Sequence, residues 1–84
     1  MTYRIRLTRQ AVKDVKKLSP KLQTKLKDVL RNRLAVDPYS GKALVGDLKG
    51  YYSVRLTHKD RIVYSIHDDE LVILVVRART HYGD

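Results

Sequence analysis

The stretch Tyr51-Tyr52-Ser53-Val54-Arg55-Leu56-Thr57-His58-Lys59-Asp60-Arg61-Ile62-Val63-Tyr64-Ser65-Ile66 decides the fold. Tyr52, Val54 and Leu56 alternate with Ser53, Arg55 and Thr57. After the polar turn Thr57-His58-Lys59-Asp60, Ile62, Tyr64 and Ile66 alternate with Arg61, Val63 and Ser65. Successive side chains of a strand point to opposite faces, so each run is a half-buried strand. Arg55 and Arg61 both fall out of phase with the apolar sets. If one face of this hairpin is covered, both guanidinium groups belong to the other.

Reading outward, His67-Asp68-Asp69-Glu70 is the next polar turn, and Leu71-Val72-Ile73-Leu74-Val75-Val76 is apolar on both faces. Such a run is a central, two-sided strand. Arg77 and Arg79 leave its end two residues apart and share a face, and His81 and Tyr82 follow. Upstream, Tyr39-Ser40-Gly41-Lys42, Val45-Gly46-Asp47 and Lys49-Gly50 carry turn chemistry. Before Asp37-Pro38 the period changes: Leu22, Leu26, Val29/Leu30 and Leu34 mark one face of a long helix, opened by Ser19-Pro20. Ala11, Val15 and Leu18 mark a shorter helix capped by Thr8, and Tyr3, Ile5 and Leu7 alternate with Arg4 and Arg6 in a first strand. The expected order is β-α-α-β-β-β: an α+β fold whose antiparallel sheet packs against an N-terminal helical hairpin, one domain over residues 1–84.

Net charge is +9. All of it lies in residues 1–34, where 11 basic side chains meet only Asp14 and Asp28, while residues 35–84 balance 7 basic against 7 acidic groups. A helical hairpin this one-sided in charge implies an anionic partner. There is no cysteine, and His58, His67 and His81 are scattered, so no metal site or other cofactor is expected. No apolar run is long enough for a membrane span and no secretory leader is visible, which makes a cytoplasmic location the expectation.

Several guanidinium groups with one imidazole and one phenol suit the cleavage of an RNA phosphodiester. Arginine grips phosphate bidentately and stabilises charge developing on it. A histidine titrating near neutrality can accept or donate the proton that the reaction moves. Tyrosine stacks on a base or orients the phosphate.

The stretch from Gly41 to Leu56, with Leu48-Lys49-Gly50-Tyr51-Tyr52-Ser53-Val54-Arg55 at its centre, and Asp60-Arg61-Ile62-Val63-Tyr64 resemble the RelE/ParE toxin superfamily. The closing Arg77-Ala78-Arg79-Thr80-His81-Tyr82 is most similar to the YoeB/Txe branch. The resemblance implies a RelE-like microbial RNase fold and the toxin of a type II toxin–antitoxin pair. It further implies a ribosome-dependent endoribonuclease that cuts mRNA in the A site, without a metal, through attack of the 2′-hydroxyl on the adjacent phosphate. By position, Arg61, His81 and Tyr82 become the catalytic set, and Arg55, Arg77, Arg79 and Lys49 the RNA-binding one. An acidic cognate antitoxin, the ribosome and mRNA are the implied partners. One departure stands out: the loop where YoeB-like members carry a glutamate reads Ala43-Leu44-Val45 here, which leaves the general base unassigned. The alternative within the superfamily is a ParE-like inhibitor of DNA gyrase that needs no nuclease residues.

Overall fold

The computed structural model describes residues 2–80, of Arg79 and Thr80 the backbone alone. The chain runs β1 (Arg4–Leu7), α1 (Arg9–Lys16), α2 (Pro20–Asp28), β2 (Lys42–Ala43), β3 (Tyr51–Arg55), β4 (Asp60–His67) and β5 (Val72–Thr80). The expected layout holds, with the two-residue β2 added at one edge of the sheet. Strand order is β1-β5-β4-β3-β2; β2 to β5 form an antiparallel meander, and β1 pairs in parallel with β5.

Both helices start on the capping residues that the sequence names. The Thr8 hydroxyl accepts from the Ala11 N–H at 3.1 Å, and the Ser19 hydroxyl from the Leu22 N–H at 3.3 Å. Each satisfies one of the amides left unpaired in a first turn. Ala11, Leu26, Leu30 and Leu34 then bury against Val54, Ile62, Tyr64, Ile73, Val75 and Ala78, so the helices cover one face of the sheet. The second helix is not α-helical throughout. From Val29 to Leu34 it widens into a π-helical stretch, with the Ala35 N–H donating to the Leu30 carbonyl. The wider turn lets Leu30, Leu34 and Ala35 all bury together, whereas regular α spacing would swing Ala35 away from Leu30.

Two features hold the edges. Among the described residues β1 pairs only with Val72 to Val75, and the rest of β5 has no strand neighbour on that side. Side chains of the first helix take its place: Thr8 donates to the Val76 carbonyl at 3.2 Å, and Asp14 accepts from the Ala78 N–H at 3.1 Å. Asp14 also accepts from Arg77 Nε at 2.9 Å and Gln10 Nε2 at 3.1 Å, and it is only 5% exposed. On the other side, buried Tyr64 donates to the Pro38 carbonyl at 2.7 Å, and its ring stacks on that of Tyr52. Gly41 is required there, because a Cβ on it would collide with the Tyr64 hydroxyl and lie 3.0 Å from the Ser53 carbonyl oxygen.

Among the described residues no helix is long and apolar enough to cross a membrane, and no cluster of His, Cys, Asp or Glu is placed to hold a metal ion.

Candidate active site

The β3–β4 hairpin brings Arg55 and Arg61 together as direct cross-strand partners, and the α-carbon of Arg79 lies opposite Arg61 on the next strand. Two residues further along, Lys42, Ser53, Val63 and Arg77 pair across four strands. Since Tyr52, Val54, Ile62 and Tyr64 face the helices, Arg55 and Arg61 face away from them, as the alternation requires. Lys42, Ser53, Arg55 and Arg61 line a shallow pocket of about 150 Å³ on this open face.

The tip of the hairpin is locked. Leu56 and Thr57 donate their N–H groups to the Asp60 carbonyl at 2.8 and 3.1 Å. The Thr57 hydroxyl donates to the Asp60 carboxylate at 2.8 Å and accepts from the Asp60 N–H at 3.0 Å. That network occupies Asp60, the acid next in sequence to Arg61, on the helix side of the sheet. Like charges placed directly opposite each other in a ladder repel. Among the described residues the one ion pair is Arg77 with Asp14, so neither Arg55 nor Arg61 is neutralised by a carboxylate. Three cations around a small open pocket favour an anionic, phosphate-sized ligand.

Arg77 is held differently. Its Nε is bonded to Asp14 at the edge of β5, and it does not line the pocket. For Asp14, burial would raise the carboxyl pKa, but the Ala78 N–H, Gln10 and the Arg77 guanidinium outweigh it and hold the group below the usual carboxylate range. Lys49 is exposed in the turn before β3 and also lies outside the pocket lining. His81 and Tyr82 fall outside the described residues, and of the Arg79 side chain nothing is described. Two lining residues were not singled out from sequence. Ser53 is two before Arg55 on one strand, so alternation already carried that signal. Lys42 sits on a strand too short to show a period, amid residues that read as a turn.

Residues 8–82 match the family described as YoeB-like toxins of bacterial type II toxin–antitoxin systems, a span that includes His81 and Tyr82. The chain is 47% identical over 53 residues to a YoeB toxin of Streptomyces coelicolor, covering 58% of this chain and 61% of that toxin's length. To the YoeB toxin of Escherichia coli it is 34% identical over 71 residues, covering 80% of this chain and 76% of the relative. Among solved structures it is similar to the toxin–antitoxin complex RelBE2 of Mycobacterium tuberculosis. That match has a TM-score of 0.88 and 26% identity, covering 99% of this chain and 95% of the other. On the family match, the chain belongs to the YoeB-like toxins of type II toxin–antitoxin systems.

Proposed function

We propose that this toxin is an endoribonuclease that cuts mRNA in the ribosomal A site. The observation that carries the reading is the pocket of Lys42, Ser53, Arg55 and Arg61, which is cationic, phosphate-sized and, among the described residues, lined by no carboxylate. A substrate 2′-hydroxyl attacks the adjacent phosphate, leaving a 2′,3′-cyclic phosphate and a 5′-hydroxyl. Arg61 stabilises the negative charge that grows on the phosphate oxygens, and Arg55 grips the neighbouring backbone. His81 protonates the departing 5′-oxygen, Tyr82 orients the phosphate, and Lys49, Arg77 and Arg79 hold flanking RNA. Asp60 is committed to Thr57, and the Ala43-Leu44-Val45 loop offers no carboxylate, so the 2′-proton passes to neutral His81, whose imidazolium then returns it to the departing 5′-oxygen. No cofactor is needed for these steps.

The proposal extends to the chain as one domain over residues 1–84, acting in the cytoplasm and neutralised by an acidic antitoxin. The Mycobacterium tuberculosis neighbour is itself a toxin–antitoxin complex, which supports such a partner. The YoeB-like family match weighs against gyrase inhibition.

Primer extension on mRNA undergoing translation is the test. The toxin should create new 5′ ends within codons, and Arg61→Ala or His81→Ala should each lower the cleavage rate by about two to three orders of magnitude, the cost of removing one preorganised group. Full toxicity of both variants, with loss of DNA supercoiling by gyrase, would overturn the reading.

A further inference from the structure

We propose that the open face of the sheet continues beyond the Arg55–Arg61 pocket as a track for the phosphate backbone of single-stranded RNA, ending on Arg4 and Arg6 of β1. The proposal rests on the RNA-cleaving reading and deepens it.

Tyr3, Ile5 and Leu7 pack against the core, so Arg4 and Arg6, which alternate with them and are exposed, lie on the face away from the helices. Register connects them to the pocket. Arg6 pairs with Leu74, Leu74 with Ser65, and Ser65 with Tyr51. Arg4 pairs with Val72, which pairs with His67. Along β4, Ser65 and His67 continue the phase of Arg61 and Val63. From Arg61 the path to Arg6 runs four residues along the strands and two strands across, about 16 Å, and Arg4 extends it to about 22 Å. That is the length of a small single-strand site of about 4 nucleotides.

The chemistry along this path fits nucleic acid. Asp60 is the only acid within the five strands, and it points to the helix side, in phase with Ile62 and Tyr64. The open face therefore has cations at both ends and no carboxylate from the strands between them. Between the ends stand the ring of Tyr51, the ring of His67 and the hydroxyl of Ser65, the last two hydrogen-bonded at 2.9 Å. Aromatic and imidazole rings give bases something to stack on, and hydroxyls contact phosphate or sugar. A purely acidic peptide would use the cations but has no need of the rings. Among the described residues neither Arg4 nor Arg6 has a carboxylate partner.

The test is fluorescence anisotropy with a short labelled single-stranded RNA whose 2′-hydroxyls are methylated, so that it binds without being cleaved. Arg4→Gln/Arg6→Gln is compared with Lys13→Gln/Lys16→Gln, which removes the same charge from exposed positions of α1. The β1 variant should bind about tenfold more weakly, and its log–log salt slope should fall by about 1.4, or about 0.7 per lost phosphate contact. The α1 variant should keep the parent slope. Equal losses in the two variants, or no RNA binding by the parent chain, would overturn the track. So would a β1 variant that keeps its RNA affinity but loses affinity for an acidic peptide, or merely becomes prone to edge-to-edge aggregation. Cleavage by the parent chain and by the Arg61→Ala variant on translating ribosomes is scored separately. If the parent chain makes no cuts in translated mRNA while the β1 variant loses RNA binding, the nuclease assignment fails and the track stands; if Arg61→Ala cleaves normally, only the role of Arg61 falls.

Discussion

Replacing Asp14 by alanine should cost more than any surface charge in this chain. The carboxylate is 5% exposed and accepts three hydrogen bonds, from the Ala78 N–H, Arg77 Nε and Gln10 Nε2. Without it, the Ala78 N–H is buried beside a helix with no acceptor, which costs about 1–3 kcal/mol. The Arg77 side chain is 35% exposed, so water takes over its charge and the ion pair itself contributes little more than about 1 kcal/mol. The sum is about 2–4 kcal/mol, against a total of about 4–12 kcal/mol for a chain of this length. In a thermal melt that is a fall of about 8–30 °C in Tm. Asp14→Asn keeps an acceptor for the Ala78 N–H and should lose only about 1 kcal/mol. Arg77→Ala should lose less than Asp14→Ala, because removing the exposed partner leaves the buried amide satisfied. The acid limb gives a second reading. Asp14 titrates below its ordinary value in the folded state, so its contribution is fully present above the unfolded value and fades as pH falls through the folded one. In strong acid the parent should therefore approach Asp14→Asn rather than Asp14→Ala, because the protonated carboxyl, like the amide, still accepts from the Ala78 N–H. The reasoning is refuted if urea denaturation places Asp14→Ala within about 0.5 kcal/mol of the parent, or if Arg77→Ala costs as much.

Gly41→Ala should destabilise by about 1–3 kcal/mol, because the new methyl meets the Tyr64 hydroxyl and the Ser53 carbonyl. Combined with Tyr64→Phe, which removes that hydroxyl, the loss in urea denaturation should be smaller than the sum of the two single losses. At high pH the buried Tyr64, its pKa pushed up to about 12 by burial, contributes stability that is complete below its ordinary value of 10.0. That contribution should be lost as pH climbs towards about 12, and Tyr64→Phe should flatten this part of the stability curve. Asp68 accepts hydrogen bonds from the phenols of Tyr3 and Tyr39, and its carboxylate pushes Tyr39 up to about 12 and raises Tyr3. Ultraviolet titration of Asp68→Asn should show both phenols ionising closer to 10.0; unchanged titration would dissolve the link.

Alternation alone sufficed for the hairpin. Arg55 and Arg61 could be assigned to one face because β3 and β4 each keep strict phase, and the register makes them direct partners. The strand that follows could not be treated in the same way. Leu71 to Val76 is apolar on both faces, so it carries no phase of its own and leaves the orientation of Arg77 open. Val75 and Ala78 both bury against the helices although they are three residues apart. A bulge makes this possible: the register shifts between Val63 and Tyr64, so that Tyr64 faces Val75 and Val63 faces Arg77, with Val76 as the extra residue. Without the shift, Arg77 would continue the phase of Ile73 and Val75 into the core. The π-helical turn at Val29 to Leu34 was hidden for a similar reason, since Leu30 and Leu34 fit α spacing and only the burial of Ala35 calls for a wider turn.

Charge arithmetic misleads in the same region, and register corrects it. Residues 35–84 are formally neutral, which taken as a sum argues against an anion site there. Yet Asp37, Asp47, Asp68, Asp69 and Glu70 lie in turns, Asp60 faces the helices and is bonded to Thr57, and Asp68 is engaged by two tyrosines. Strand alternation meanwhile sends Arg55 and Arg61 to the open face, where Lys42 joins them. A segment can thus be neutral in sum and strongly cationic on one face, and a phosphate approaching that face meets the local charge first. It follows that neutralising an exposed helix lysine such as Lys25 should alter association with an anionic partner through its salt-dependent rate. Neutralising Arg61 should alter what happens after docking. Rapid-mixing measurements that found the two substitutions equivalent in both phases would show that net charge, rather than its placement by the sheet, governs this protein.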